Sequence, residues 1–529
     1  MKDLKKQTSG QVPSKPITAD PPKKTDQSVT IFYLFVMAHL FLWVLLPVLT
    51  QPNAPLDTIE MLYWGHEWQL GYYKHPPLPA WLAELACQLL GRSEWPTYLT
   101  SQLCVVTCFW AAWQLGRDFL KPWPALCAAL LLETNYYYNY TTPEFNNNVV
   151  SSAFWALSIL FLYRAINSGR SLWWALTGAS LALGTLSKYD TIILGGAMVG
   201  FSALHPVGKT FWKTSGPYIA LATFMPLIAP HLYWMWANGF PTIEHILNRS
   251  QGTGQWTNHF FYPLRFLASQ LAAVGPLILV AMPLVKNWKP RKVIQSKIRF
   301  ERDFLLSIVF GPLVLILLVS LVTGIKLRSM WGSSLWTFTG VVTLFVFQLR
   351  EGAQPVRKLM IFCMIATMLF ATLLGAHNVV FPHFRDKASR VHFPGRQLAA
   401  EIQRRWNKQN SAPLTIVAGD WWPAGNVAFY AESRPSVFTE MDVHKSPWTN
   451  NEDLRLYGGV VLWEIGHYDN VFLTKLLKRF PAATLEAPIS LNWQTKAKIS
   501  PLQIGLIMIP PTHGTPRISN GLKDNNEKT

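Results

Sequence analysis

Long apolar runs separated by short polar ones dominate the first 375 residues of the chain. Val29 to Thr50 holds no Asp, Glu, Lys or Arg over 22 residues, and at about 1.5 Å rise per residue such a helix crosses a hydrocarbon core about 30 Å thick. Similar runs predict eleven spans: 29–50, 97–116, 123–139, 148–166, 172–187, 190–206, 217–236, 263–285, 304–323, 331–349 and 359–376. Segment 78–91 is apolar but too short to cross, which predicts an interfacial or re-entrant helix. From Ala376 onward the apolar stretches shorten to "LTIVAG", "PSVFTE", "GGVVLWE" and "IGLIMIPP". They alternate with the amphipathic "GRQLAAEIQRRW" and "NVFLTKLLKRF", the pattern of a small α/β domain.

Composition agrees with that reading: half the residues are hydrophobic, 24 are Trp and only 14% are charged, which excludes a string of soluble domains. The first run lies beyond Lys23-Lys24, is longer than a signal-peptide core and lacks an Ala-x-Ala exit, so it is expected to remain in place. Residues 1–28, rich in Lys, Pro and Ser, predict a disordered basic cytoplasmic tail. The predicted division is then 29–376 for the membrane domain, with a charged outer loop at 51–96, and 377–529 for the α/β domain, its end a frayed tail.

Lys and Arg are dense in the N-terminal tail, at Lys286 to Arg302 and at Arg350/Arg357/Lys358, and sparse in the alternate loops. The positive-inside rule places the 51–96 loop and the C-terminal domain outside. Topology and anionic headgroups account for the net charge of +18, so no nucleic-acid partner is expected. The five cysteines lie in or near apolar segments and imply no disulfide framework. Cys104 and Cys108, at i, i+4, have no His or carboxylate partner in sequence, and small-residue packing explains them better than metal binding. Neither a metal nor a cofactor is expected.

The loops after predicted spans 1, 3, 5, 7 and 9 share one face and carry ionisable residues, which are expensive beside a membrane. In the first, "LDTIEMLYWGHEWQLGYYKHPPLPAWL", Asp57 and Glu60 lie at i, i+3 on one helical face, although a helix N-terminus explains Asp57 equally well. Glu144 in "NYTTPEFNNN" is a further carboxylate, with the simpler alternative that it sits in the first turn of the next span behind a Thr cap. Lys188 in "TLSKYDT", beside Asp190, and Arg249 in "PTIEHILNRSQ" supply cations suited to a phosphate, as do Lys326 and Arg328. Pro76-Pro77 fixes the return of the first loop.

"DTIEMLYWGHEWQLGYYKHPPLPAWL", "TTPEFNNN" and "LSKYDT" together resemble the family 39 glycosyltransferases of the C-type (GT-C) fold. These include protein O-mannosyltransferases and bacterial enzymes that add aminoarabinose, galacturonic acid or hexosamine to lipid A. The resemblance runs from about Asp57 to Leu194 and is most specific in Gly-Tyr-Tyr-Lys-His-Pro-Pro-Leu. It implies a mainly α, polytopic membrane protein of about eleven spans with a periplasmic α/β domain, in the bacterial inner membrane. The implied activity is inverting transfer of a sugar from a polyprenyl-phosphate donor at the outer face, to lipid A, lipopolysaccharide or another periplasmic acceptor.

By the same resemblance Asp57 positions or deprotonates the acceptor, with Glu60 or Glu144 as the second carboxylate. Lys188 and Arg249 hold the lipid phosphate, and Lys74 and His75 contact substrate. The chain departs from the family in two places: Thr58 follows Asp57 where many relatives carry Glu, and the basic residue before Pro-Pro is shifted, with Lys74 one place early and His75 in its slot. A protein O-glycosyltransferase and a transporter of lipid-linked sugars are the alternatives.

Overall fold

The computed structural model describes residues 26–252, 254–290, 295–350, 352–467, 470–497 and 499–512. The predicted tails therefore lie almost wholly outside the described residues. The first helix, α1 (Gln27–Thr50), begins two residues before the expected span because the Asp26 side chain accepts the Ser28 amide. It leads to α2 (Leu56–His66), α3 (Leu78–Leu90), α4 (Trp95–Phe119), α5 (Pro122–Leu130), α6 (Asn147–Ser168), α7 (Ser171–Ser187) and α8 (Asp190–Leu204). The short α9 (Gly208–Phe211) precedes α10 (Gly216–Ala237), α11 (Pro241–Ser250), α12 (Asn258–Ala281), α13 (Ser296–Thr323), α14 (Thr339–Val346) and α15 (Ala353–Gly375).

Among the described residues six helices are long and apolar enough to cross a membrane: α1, α6, α10, α12, α13 and α15 with its continuation to Val379. Two expected spans are broken. Segment 123–139 is α5 followed by 3₁₀ turns at Leu131–Thr134 and Tyr136–Tyr138. There Thr134 donates to the Leu131 carbonyl, and the Asn135 side chain accepts the Tyr137 amide, local bonds that compete with helix. Segment 331–349 is a 3₁₀ stretch (Ser329–Trp336), α14 and the strand β2 (Phe347–Leu349), which pairs antiparallel with β1 (Val285–Pro290). Gly332 and Gly340 allow the close approach: a Cβ would lie 2.0 Å from Gln270 Oε1 and 2.3 Å from the Ala128 carbonyl oxygen, respectively.

Beyond α15 the predicted strands and helices form. Strands β3 (Ile416–Gly419), β4 (Ser436–Thr439), β5 (Gly459–Glu464), β6 (Thr484–Leu485), β7 (Ile489–Leu491) and β8 (Leu502–Ile509) make a sheet of order β4-β3-β5-β8-β6, with β7 also on β8. The β3–β4 and β3–β5 pairs are parallel and the β8 pairs antiparallel. Helices α16 (Gly395–Gln409), α17 (Trp421–Tyr430), α18 (Asn451–Tyr457) and α19 (Asn470–Arg479) pack around it. In α16 the buried Leu398, Ile402 and Trp406 recur every four residues, which turns one apolar stripe to the sheet.

One apolar core fills the membrane bundle. Another runs without a break from α2 and α3 into α16, α17 and the sheet, through Ile59, Tyr63, Ala424 and Val427. Gly425 makes the seam close, since a Cβ there would meet Tyr63 Cδ1 at 2.8 Å. Polar ties follow the same seam: Arg434 donates to both oxygens of the buried Glu84 at 2.9 and 2.7 Å, and the Tyr430 hydroxyl donates to Glu94 at 2.6 Å.

Candidate active site

The site is built on α2. Pro55, in extended conformation, starts the helix, and Asp57 lies in its first turn, where a carboxylate meets the positive end of the helix dipole. The amide of Asp57 donates to Glu144 Oε1 at 2.9 Å. Glu144 therefore caps α2 from a distant part of the chain, and does not start the following span. That span, α6, is capped by Asn146, whose side chain accepts the Asn148 and Val149 amides. Burial raises the pKa of both carboxyls; for Glu144 the adjacent Asp57 charge raises it further, to about 8. Lys74 and Arg249 act in the opposite sense on Asp57. At neutral pH Glu144 is therefore mostly protonated.

Glu60 lies one turn further on the same face, buried, and pairs with the Lys74 ammonium. Burial raises its pKa and Lys74 opposes that rise. Lys74 sits at the tip of a reverse turn closed by Tyr72 N–H to the His75 carbonyl (3.1 Å) and His75 N–H to the Tyr72 carbonyl (3.2 Å). The Tyr72 ring stacks on Trp64 at 5.0 Å and its hydroxyl donates to the Trp64 carbonyl. The ammonium of Lys74 lies 4.8 Å from the Trp421 ring and 5.1 Å from the Tyr73 ring, a cation–π cradle. His75 is partly buried and its pKa is pushed well down by burial, then by Lys74, His245, Lys188 and Arg249, so it is neutral.

Lys188 follows α7 and donates to Asp190 Oδ2 at 2.8 Å, while Asp190 also accepts from Ser151. Arg249, in the last turn of α11, is exposed, makes no ion pair among the described residues, and acts electrostatically on Asp57, Glu60 and His75. The backbone of Lys326 donates to the Ser250 carbonyl, which ties the end of α11 to the loop that carries Arg328. Asp57, Glu60, Glu144, Lys74 and Arg249 are thus linked around the start of α2, and Lys188 reaches the group through its effect on His75.

Other members of the site had no signal in the sequence. Trp421 reaches Lys74 from the C-terminal region. Lys445 lies 6.0 Å from the Tyr73 ring, and Tyr73 meets His245 edge to face at 5.9 Å. His245, which the sequence showed only as a neighbour of Arg249, is driven down to about 4 by burial and by Lys74, Arg249 and Lys445. Outside this group, Glu67, at the end of α2 beside Arg434 and Glu84, is raised to about 7 by burial. Among the described residues no group of three or more His, Cys, Asp or Glu is arranged to hold a metal ion.

Residues 74–234 match the family model for dolichyl-phosphate-mannose-protein mannosyltransferases, a stretch that contains Lys74, His75, Glu144 and Lys188 but not Asp57, Glu60 or Arg249. The fold is shared with ArnT from Cupriavidus metallidurans. The TM-score is 0.61 to its structure with undecaprenyl phosphate, at 12% identity over 92% of this chain and 98% of that one, and 0.62 to its apo structure at 13% identity, over 91% and 98%. The chain thus has the GT-C fold, and residues 74–234 resemble that class of membrane glycosyltransferases in sequence. Within that class it is similar to the lipid A galacturonosyltransferase RgtD of Rhizobium johnstonii, at 23% identity over 336 residues. The aligned region is 62% of this chain and 66% of RgtD, so it spans just under two thirds of that relative's length.

Proposed function

We propose that the protein transfers a sugar, with inversion, from a polyprenyl-phosphate donor to lipid A or lipopolysaccharide at the outer face of the bacterial inner membrane. The observation that carries this reading is the convergence of Lys74 and Arg249, from two separate elements, on the buried carboxyls Asp57 and Glu60, with Glu144 bonded to the Asp57 amide and Lys188 bearing on the neighbouring His75. An anionic leaving group beside a proton acceptor needs such an arrangement. RgtD by its name acts on lipid A, and ArnT binds undecaprenyl phosphate; both support the same substrates here. The positive-inside distribution supports a periplasmic site, with the 377–529 region outside as a second domain.

In the proposed reaction an acceptor oxygen attacks the anomeric carbon as the bond from that carbon to the phosphate oxygen breaks. The polyprenyl phosphate leaves with the electron pair. Arg249, which has no ion pair among the described residues, and Lys188, which shares its charge with Asp190, take up the charge on the leaving phosphate. Asp57, whose negative charge Lys74 and Arg249 favour, accepts the proton of a hydroxyl acceptor. An acceptor that is already an ionised phosphate is only oriented by it. Lys74, held by Glu60 and the rings of Trp64, Tyr73 and Trp421, is a fixed positive charge beside the carboxyls, suited to an acidic sugar or an anionic acceptor.

The test is mass spectrometry of lipid A and core oligosaccharide from cells that make the intact protein, Asp57→Asn, Lys188→Ala or none. A sugar-sized increment seen only with the intact protein is expected. Absence of any increment, with donor lipid present and all variants folded, would exclude lipopolysaccharide as acceptor and direct the search to periplasmic proteins.

A further inference from the structure

A large cavity lies within the membrane bundle, away from the carboxyl site. It has a volume of about 1470 Å³ and is enclosed by α1, the start of α5, and α15 with the segment before it. Its mouth is at the end of the bundle opposite Asp57: α1 runs from this end to the α2 loop, and Lys121 follows α4, which starts beside that loop and runs back. Three cations, Lys121, Arg350 and Arg357, line this end. All three are exposed and none makes an ion pair among the described residues.

Most of the remaining wall is apolar, including Phe35, Leu42 and Met360. The one ionisable pair at depth, His39 with Glu133, is already satisfied: His39 also meets Gln102 at 3.1 Å, and Asn139 donates to Glu133 Oε2 at 3.2 Å. That pair offers no free charge to a ligand. Met364 and Met368, on the edge of the cavity, are 60% and 52% exposed, so beyond its mouth the cavity is also open laterally, along α15. The volume exceeds the about 300–1,000 Å³ of an ordinary small-molecule site.

We propose that this cavity binds a phosphate-headed lipid of the leaflet opposite the catalytic face. The phosphate lies between Arg350, Arg357 and Lys121, where guanidinium forks match its oxygens, and the chains lie along α1 and α15. A small soluble anion would use the cations but leave the apolar wall unfilled. A zwitterionic lipid would fill the wall but neutralise part of the cationic mouth with its own ammonium. Unbranched, polarisable methionines suit a chain of variable shape.

The test uses the full chain in detergent and native mass spectrometry, with phosphatidylglycerol, phosphatidylcholine of identical chains, and inorganic phosphate as probes. Phosphatidylglycerol is expected to bind at one site, with phosphatidylcholine far weaker and inorganic phosphate unable to displace it. Arg350→Gln with Arg357→Gln is expected to weaken phosphatidylglycerol binding about thirtyfold, from the contribution of each basic residue beside an anionic headgroup. Ala38→Phe, which fills the cavity without touching a charge, is expected to weaken it too. Should the double variant fail to fold, Lys121→Gln takes its place with a smaller loss expected. Equal retention of the two lipids, displacement by inorganic phosphate, or binding unchanged in the folded variants would each overturn the proposal.

Discussion

Arg434→Met would break the ion pair that locks α3 to the C-terminal sheet. Both guanidinium nitrogens bond the Glu84 carboxylate, whose side chain is 1% exposed against 22% for Arg434. Arg434 is the main favourable influence on that carboxyl and holds its pKa below the usual value despite burial. In the variant Glu84 keeps only Gln88, which donates to it at 2.8 Å. Removing one partner of a buried pair costs about 3–5 kcal/mol, and partial exposure of Arg434 favours the lower end.

At about 2–4 °C per kcal/mol for a region of this size, the thermal midpoint in detergent should fall by about 6–12 °C. Glu84 Cβ lies 2.8 Å from where a side chain on Gly65 would begin, so α3 supports the helix that carries Asp57 and Glu60. Transferase activity should therefore fall with stability. Glu84→Leu combined with Arg434→Met removes the stranded charge and should recover most of the loss, giving a strongly non-additive double-mutant cycle. An Arg434→Met midpoint within 2 °C of the parent, or an additive cycle, would refute the reasoning.

The carboxyl pair predicts that Glu144→Gln keeps activity near neutral pH, because the amide oxygen still accepts the Asp57 amide, whereas Asp57→Asn abolishes it. The parent should lose activity as pH rises through about 8, where Glu144 ionises against Asp57, and Glu144→Gln should flatten that limb of the rate profile. Glu67 is raised from 4.5 to about 7, so the folded state binds its proton more tightly. Its stabilising contribution is complete below pH 4.5 and is lost as pH rises through about 7, a slope that Glu67→Gln should remove from midpoints measured across that window. Arg249→Ala should lower kcat by about 10²–10³ if it meets charge that develops on the leaving phosphate, with Arg249→Lys intermediate. An effect on KM alone would make it a ground-state contact.

Apolar length and periodicity made the helices legible, and alternation made the C-terminal strands legible, because burial imposes both patterns directly. The broken segments 123–139 and 331–349 were not legible. Their composition is that of a span, and their kinks come from Asn side chains and glycine contacts defined only by neighbours. Asp57, Glu60 and Lys188 stood out as charges beside apolar runs. The role of Glu144 did not, since capping a helix 87 residues upstream leaves no local trace. Trp421 and Lys445 were invisible for the same reason, and Glu67 looked like one more polar loop residue until its enclosure was seen.

The unbroken core between the α2 loop and the C-terminal sheet sets an order of events during synthesis. Lys74 leaves the ribosome some 350 residues before Trp421, the ring that helps cradle it, and at about 5–20 residues per second that interval is tens of seconds. Throughout it, Ile59, Tyr63 and Trp64, buried in the finished protein, have no cover on the side that α17 will occupy. The nascent chain must shelter that surface against the membrane or a chaperone, and a chain that stops short of the last sheet would display it permanently to quality control.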